Sequence, residues 1–350
     1  MTRRMRAAVL HGREDVRIEE VEIPSLGPGE VLLRTRAALT CGTDVKVYRR
    51  GYHARMIQPP AVFGHEIAGV VEEIGSGVES VRPGTAVVAA NSAPCGSCGY
   101  CLDDRASLCD DLLFWNGAYA EFARIPARIV RHNLVPLEPG TGFRQAALVE
   151  PLACAIRGIE DSRVREGMTV AVIGSGPIGL MLVALARLRG AAVIVAGRNP
   201  GRLRRALDLG AAQTIEASSG EDLAQRLRQA GRGGTGPDVV IEAAGQSETA
   251  EAAIRAVRKG GLVNLFAGCP ADARVALDAQ RLHYEELTVT STFHHTPQSF
   301  RAAHRLIADR TVNADAFITA QAPLEAVPDV LRHLAKGGDG LKTAILPWGE

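Results

Sequence analysis

Four cysteines fall within fifteen residues, Cys95, Cys98, Cys101 and Cys109, in the spacing C-x2-C-x2-C-x7-C. Four thiolates this close complete a tetrahedral zinc site and leave no coordination position for a substrate. A metal held that way is structural, so the chemistry has to lie elsewhere. Three other fragments supply an open donor set: Cys41-Gly42-Thr43-Asp44, Gly64-His65-Glu66 and Glu150-Pro151-Leu152. A thiolate, an imidazole and carboxylates from separated stretches can share one cation and leave room for a substrate oxygen. Each fragment alone also has an ordinary reading, the histidine as a core residue and the Glu before proline as a turn residue.

A second kind of chemistry is written at Gly174-Ser175-Gly176-Pro177-Ile178-Gly179. This G-x-G-x-x-G lies between an expected strand and an expected helix, the setting in which the string binds a dinucleotide. Gly174 permits the tight turn, Gly176 lets the backbone approach a pyrophosphate and Gly179 allows close helix–strand packing. Pro177 and Ile178 open the helix whose free N–H groups meet the phosphates. The end of the next strand selects the cofactor. A carboxylate roughly 20 residues on holds the ribose 2′-hydroxyl of NAD. This chain has Gly197-Arg198-Asn199 there. Arg198, assisted by Arg202, offers a charge-assisted fork for a 2′-phosphate, so NADP is expected over NAD. The competing reading leaves Arg198 as a solvated surface arginine.

Two frameworks must position these residues. Residues 1–150 carry short β-type runs at Val31–Thr35, Ile67–Ile74 and Ala86–Ala90, broken by glycine and proline, and read as a β-rich domain with loops. After Pro151 the pattern changes. Strands are expected at Met168–Ile173, Ala192–Ala196, Asp238–Glu242, Leu262–Ala267 and Leu287–Phe293, with helices at Ile178–Arg189 and Arg202–Leu209. Strands alternating with helical patterns predict an α/β fold with a parallel, doubly wound sheet. An amphipathic helix over Pro297–Asp309 and a closing strand at Lys342–Leu346 follow.

The chain has 350 residues, enough for two domains. Forty basic against 39 acidic residues, with no basic cluster interleaved with aromatics, exclude a nucleic-acid footprint. Almost all the basic residues are arginine; the lysines are Lys46, Lys259, Lys336 and Lys342. There is no apolar segment of signal-peptide length and no run of eighteen apolar residues, so no membrane partner is expected and the cytoplasm is the expected address. In a reducing compartment, spaced cysteines are metal ligands before they are disulfides. Cys154 and Cys269 read as small buried thiols.

In series, Cys41-Gly42-Thr43-Asp44, Gly64-His65-Glu66, the four-cysteine run, Glu150-Pro151-Leu152 and the glycine turn resemble the zinc-dependent medium-chain dehydrogenase/reductase family over essentially the whole chain. The sorbitol (iditol-2) and polyol dehydrogenase-like branch is the one most resembled, with threonine 3-dehydrogenase nearby. The resemblance implies a GroES-like catalytic domain over 1–152 with a structural zinc lobe at 91–112. It further implies a Rossmann NAD(P)-binding domain over 153–290 and a C-terminal return over 291–350. Position by position it makes Cys41, His65 and Glu150 the catalytic zinc ligands. Glu66 becomes an acid behind the metal, Thr43 the hydroxyl that relays the alcohol proton, and Cys95, Cys98, Cys101 and Cys109 the ligands of a second zinc. The implied reaction is hydride transfer between a secondary alcohol and the dinucleotide, in a homo-oligomer of two or four chains. Two departures stand out. Lys46 occupies a position where the threonine dehydrogenase pattern has histidine, and Gly197-Arg198 replaces the aspartate that goes with NAD in the sorbitol branch.

Substrate-facing candidates are Tyr48, Phe114, Trp115, Phe293 and His294, with simple packing as the alternative for the aromatic pair and ordinary polar roles for His294 and His295. A polar rim with a few aromatics suits a polyol, sugar or cyclitol. Oxidation of an amino alcohol, a catalytically silent nucleotide-binding relative and a zinc-ribbon interaction module are the other readings.

Overall fold

Continuous apolar runs build the second of the two units into which the chain divides, Met1–Ala153 with His295–Glu350, and Cys154–His294. The computed structural model describes residues 3–217, 222–338 and 340–349.

In Cys154–His294, the strands Thr169–Ile173, Ala192–Gly197, Val239–Glu242 and Leu262–Leu265 are apolar along most of their length and almost wholly buried, as strands covered on both faces must be. With Gln213–Glu216 and Thr288–Ser291 they form a six-stranded parallel sheet. Numbered within this unit, the strands lie in the order 3-2-1-4-5-6, that of a doubly wound dinucleotide fold. The helix Pro177–Leu188 follows the first strand, Pro200–Asp208 the second, Leu223–Ala230 the third and Ser247–Ala256 the fourth. The strand Gln213–Glu216 and the last two helices are absent from the sequence reading. The strand is short and at the edge, and only its Ile215 is buried, so it lacks the apolar run that marks its neighbours.

In Met1–Ala153 with His295–Glu350, a seven-stranded sheet is built around Val31–Leu39. This strand pairs antiparallel with Glu66–Ile74, Phe122–Ile125 and the late strand Lys342–Leu346. Gly69 lets it come close to Glu66–Ile74, since a Cβ there would stand 2.2 Å from the Arg34 carbonyl oxygen. Leu10, Leu33, Phe63, Ile67, Tyr119 and Ile345 belong to one buried apolar cluster, so residues far apart in the chain share a core. The division between the units falls just after Pro151, at Ala153/Cys154. Pro151 lies in the first turn of the helix Val149–Asp161, where a missing N–H costs nothing because that donor has no intrahelical partner. Among the described residues no helix is long and apolar enough to cross a membrane.

The glycine turn after Thr169–Ile173 is sterically closed at one position and open at another. A Cβ on Gly179 would lie 1.8 Å from the Gly174 carbonyl oxygen, whereas one on Gly176 would meet nothing within 4 Å. Gly179→Ala is therefore expected to cost about 1–3 kcal/mol in urea unfolding, and Gly176→Ala less than about 0.5 kcal/mol.

Candidate functional site

The strand Val31–Leu39 delivers the chain to Cys41, which caps the helix Gly42–Arg50. Its Sγ accepts from the Thr43 N–H at 3.5 Å, and the Asp44 carboxylate reaches back to accept from the Cys41 N–H at 2.9 Å. This is a reciprocal capping box with a thiol in the usual hydroxyl position. A helix N-terminus favours a thiolate. Burial pushes the Cys41 thiol up, but the Lys342 ammonium and the His65 imidazole bring it down to about 7.

Asp44 is fully buried and has further partners. Its Oδ1 lies 2.9 Å from His65 Nδ1, and its Oδ2 accepts from the Tyr119 hydroxyl at 2.6 Å. With one ring nitrogen fixed on a carboxylate, the other is left as a metal donor. Gly64 makes this approach possible: it has φ 86°, and a Cβ there would stand 2.7 Å from the Tyr119 ring. Burial opposes a charged imidazole, yet the Asp44 carboxylate carries the His65 pKa well above its ordinary value.

The ligand atoms of Cys41, His65 and Glu66 all lie within 4.8 Å of one another. Sulfur, nitrogen and oxygen donors in one buried cluster fit zinc. Glu66, however, is already engaged. Both its oxygens accept from Lys342 Nζ, at 2.6 and 2.7 Å, and the same ammonium donates to the Thr40 carbonyl at 3.0 Å. Lys342 is 2% exposed and Glu66 0%. Burial works against the charge on Lys342, and Glu66, with help from Cys41 and Glu150, more than offsets it, so the Lys342 pKa is raised, which favours the ammonium.

Glu150 stands outside that three-residue set. It is buried in the first turn of Val149–Asp161, with Oε1 3.8 Å from His295 Nε2. The His295 nitrogen also lies 3.1 Å from Asn91 Oδ1 and 3.4 Å from Ser92 Oγ. His294 adopts a left-handed backbone, φ 63°, with its ring 5.6 Å from that of the exposed Phe293. Thr43 is half-buried in the first turn of its helix. Tyr48 and Trp115 are packed in the main apolar cluster of this unit, and Phe114 is half-buried under the Arg55 guanidinium.

Sequence reasoning missed Asp44, Tyr119 and Lys342. Asp44 has a local signal, since a carboxylate three residues after the cap is the capping-box spacing. Lys342 has none, because its partner Glu66 lies 276 residues away.

The four sulfurs of Cys95, Cys98, Cys101 and Cys109 are mutually within 4.8 Å, and no disulfide forms among the described residues. The N–H groups of Ser97 and Cys98 donate to Cys95 Sγ at 3.5 and 3.3 Å and pull that thiol down to about 6, while burial pushes Cys101 up to about 12. The short strands Ser92–Ala93 and Leu113–Phe114 pair on either side of this lobe. Cys154 and Cys269 are only half-buried, not the enclosed thiols expected.

In the other unit, Gly174 has φ 119°, and Gly176 precedes Pro177–Leu188 with no side-chain cap. The N–H groups at that helix start are free for a phosphate, and Gly176 opens onto empty space. Ile178 lies in the same first turn. At the end of the second strand, a Cβ on Gly197 would stand 2.4 Å from Ser175 Oγ. Asn199 caps Pro200–Asp208 by accepting from the Arg202 N–H at 2.9 Å, and Arg198 is exposed.

Two family models match the chain: an alcohol dehydrogenase GroES-like domain over residues 27–137 and a zinc-binding dehydrogenase over 177–309. The L-threonine 3-dehydrogenase of Bacillus subtilis (strain 168) is 32% identical, covering 94% of each chain. Human sorbitol dehydrogenase is also 32% identical, covering 94% of this chain and 92% of its own. Among solved structures, a zinc-binding dehydrogenase of Sinorhizobium meliloti 1021 bound to NADP superposes with a TM-score of 0.89 at 31% identity, covering 99% of this chain and all of the other. The alcohol dehydrogenase of Thermus sp. ATN1 gives 0.88, again at 31% identity, over 98% and 99%.

Removing the Lys342 ammonium strands a buried carboxylate. Lys342→Met is expected to destabilise the protein by about 3–5 kcal/mol in thermal or urea unfolding. The double variant Lys342→Met/Glu66→Gln is expected to recover a large part of that loss, which a double-mutant cycle reads directly.

Proposed function

Because the chain belongs to the zinc-dependent medium-chain dehydrogenase/reductase family, in its polyol dehydrogenase-like branch, we propose that it moves a hydride between NADP and a secondary alcohol of polyol, sugar or cyclitol type. Membership of the family makes it an alcohol oxidoreductase using zinc and NAD(P). The observation that supports zinc-dependent turnover is the convergence of Cys41, His65 and Glu66 with His65 oriented by Asp44.

In this reading Cys41, His65 and Glu150 would hold the catalytic zinc, and Cys95, Cys98, Cys101 and Cys109 a structural one. When bound, that zinc and the dinucleotide supply Lewis acidity toward the substrate oxygen and a hydride acceptor. The protein does the rest. Asp44 and Tyr119 keep His65 in the tautomer that offers a free nitrogen. Cys41 is held as a thiolate at a helix N-terminus. Thr43, in the first turn of that helix, takes the proton of the alcohol and passes it toward solvent. Glu66 stays on Lys342 beside His65 and serves as a buried acid behind the ligands. Tyr48, Phe114, Trp115, Phe293 and His294 remain the candidates for shaping the substrate site.

NADP is favoured because the second strand ends in Gly197-Arg198-Asn199, where no carboxylate opposes a 2′-phosphate. Gly174, Gly176, Pro177, Ile178 and Gly179 would cradle the pyrophosphate, with Arg198 and Arg202 on the 2′-phosphate. Similarity to a solved dehydrogenase bound to NADP supports this. Similarity to L-threonine 3-dehydrogenase keeps oxidation of an amino alcohol as a second reading.

A spectrophotometric screen of polyols, cyclitols and amino alcohols with NADP+ and NAD+ tests the proposal. Polyols or cyclitols with NADP+ are the expected pairing, and Arg198→Ala is expected to lower the NADP+/NAD+ ratio of kcat/KM by about tenfold or more. Metal analysis should find two zinc ions per chain, and one in Cys41→Ser. Preference for NAD+ that Arg198→Ala leaves unchanged would sink the cofactor assignment.

A further inference from the structure

Within the unit Met1–Ala153 with His295–Glu350 there is a cavity of about 760 Å³ whose lining includes none of the metal-ligand candidates. That is the size of a small-molecule site. Three guanidiniums line it, from Arg36, Arg144 and Arg310, and one carboxylate, Asp315. Asp315 accepts from Gln145 Nε2 at 2.8 Å, and Arg144 donates to the amide oxygen of Gln321 at 2.7 Å. Among the described residues no carboxylate lies within ion-pairing distance of Arg36, Arg144 or Arg310, in a protein whose surface arginines pair freely elsewhere. Arg36 is instead held over the Phe143 ring, 5.4 Å from its centroid, which fixes its direction without neutralising it.

Two further features belong to the same cavity. Thr141 lines it, and its hydroxyl oxygen is buried without a hydrogen-bond partner among the described residues, a group that a bound acceptor or donor would satisfy. Arg310, at φ 59°, is the left-handed residue that ends the helix Pro297–Ala308, its N–H donating to the Ile307 carbonyl at 3.1 Å, and it lines the cavity. Phe143 and Trp348 add aromatic faces beside the positive charge.

We infer that this cavity binds a small organic anion carrying at least two negative charges, a phosphate ester or a polycarboxylate. The guanidiniums take the charged end by charge-assisted hydrogen bonds, the Thr141 hydroxyl completes the polar contact, and the aromatic rings cover the organic part. The inference does not depend on the cofactor or substrate assigned above.

Isothermal titration of the zinc-loaded enzyme with phenyl phosphate, citrate and inorganic phosphate tests it. Phenyl phosphate or citrate is expected to bind once per chain and more tightly than inorganic phosphate; which of the two is tighter separates a phosphate ester from a polycarboxylate. Arg36→Ala/Arg310→Gly is expected to weaken that binding by about tenfold or more. Both positions are exposed, and glycine suits φ 59°, so this variant retains the fold; an unchanged melting temperature checks it. Arg198→Ala, in the dinucleotide unit, is expected to leave the binding unchanged. The inference is overturned if none of the probes binds at millimolar concentration, if inorganic phosphate binds as tightly as both organic anions, or if Arg198→Ala weakens binding while Arg36→Ala/Arg310→Gly does not.

Discussion

A lysine ammonium enclosed in protein is the constraint that the first unit is arranged around. Taking either Lys342 or Glu66 out of water costs several kcal/mol, and their attraction offsets this only with close geometry and every remaining donor satisfied. Here all three ammonium donors are used, two on Glu66 and one on the Thr40 carbonyl. Those partners are adjacent in the chain to His65 and Cys41. The backbone repeats the tie: Thr40 and Thr343 exchange a main-chain bond at 3.1 Å and a side-chain bond at 2.9 Å. The spacing between the sulfur and the imidazole is therefore set by a strand that contributes neither.

Asp44 shows how a small number of buried polar groups do several jobs. One carboxylate accepts from a helix-capping amide and a tyrosine hydroxyl and orients an imidazole. Unsatisfied buried carboxylate oxygens are costly, so these partners also stabilise Asp44 in place. Cys41 is equally doubled: the atom expected on the metal is also the atom that caps the following helix. Local folding and the proposed metal site thus share the same residues.

Much of this was legible in the sequence, for reasons that differ between the units. The second unit has strands buried on both faces, so Thr169–Ile173, Ala192–Gly197 and Val239–Glu242 announce themselves as apolar runs, and the glycines between strand and helix mark the turn. The edge strand Gln213–Glu216 escaped because an edge carries little buried surface. The four-cysteine lobe is local in sequence and was readable from spacing alone. The cluster at Cys41 and His65 was legible only as a series of motifs, and its supporting residues less so. Lys342 reads as one apolar strand's polar first residue until its partner is seen. The helical setting of Glu150-Pro151 was hidden because proline before an apolar stretch signals a break as readily as a helix start.

The late strand Lys342–Leu346 also has a consequence for how the protein comes into being. On the ribosome Glu66 emerges 276 residues ahead of Lys342, a delay of about 15–55 s at ordinary elongation speeds. Throughout that interval the carboxylate beside His65 lacks its Lys342 counter-ion, and every strand of the Cys154–His294 unit is made before the interval ends. Vectorial synthesis therefore completes the dinucleotide unit first and leaves the residues around Cys41 and His65 among the last to settle. A nascent chain arrested shortly before Lys342 would carry a finished nucleotide fold and an unfinished metal-binding one.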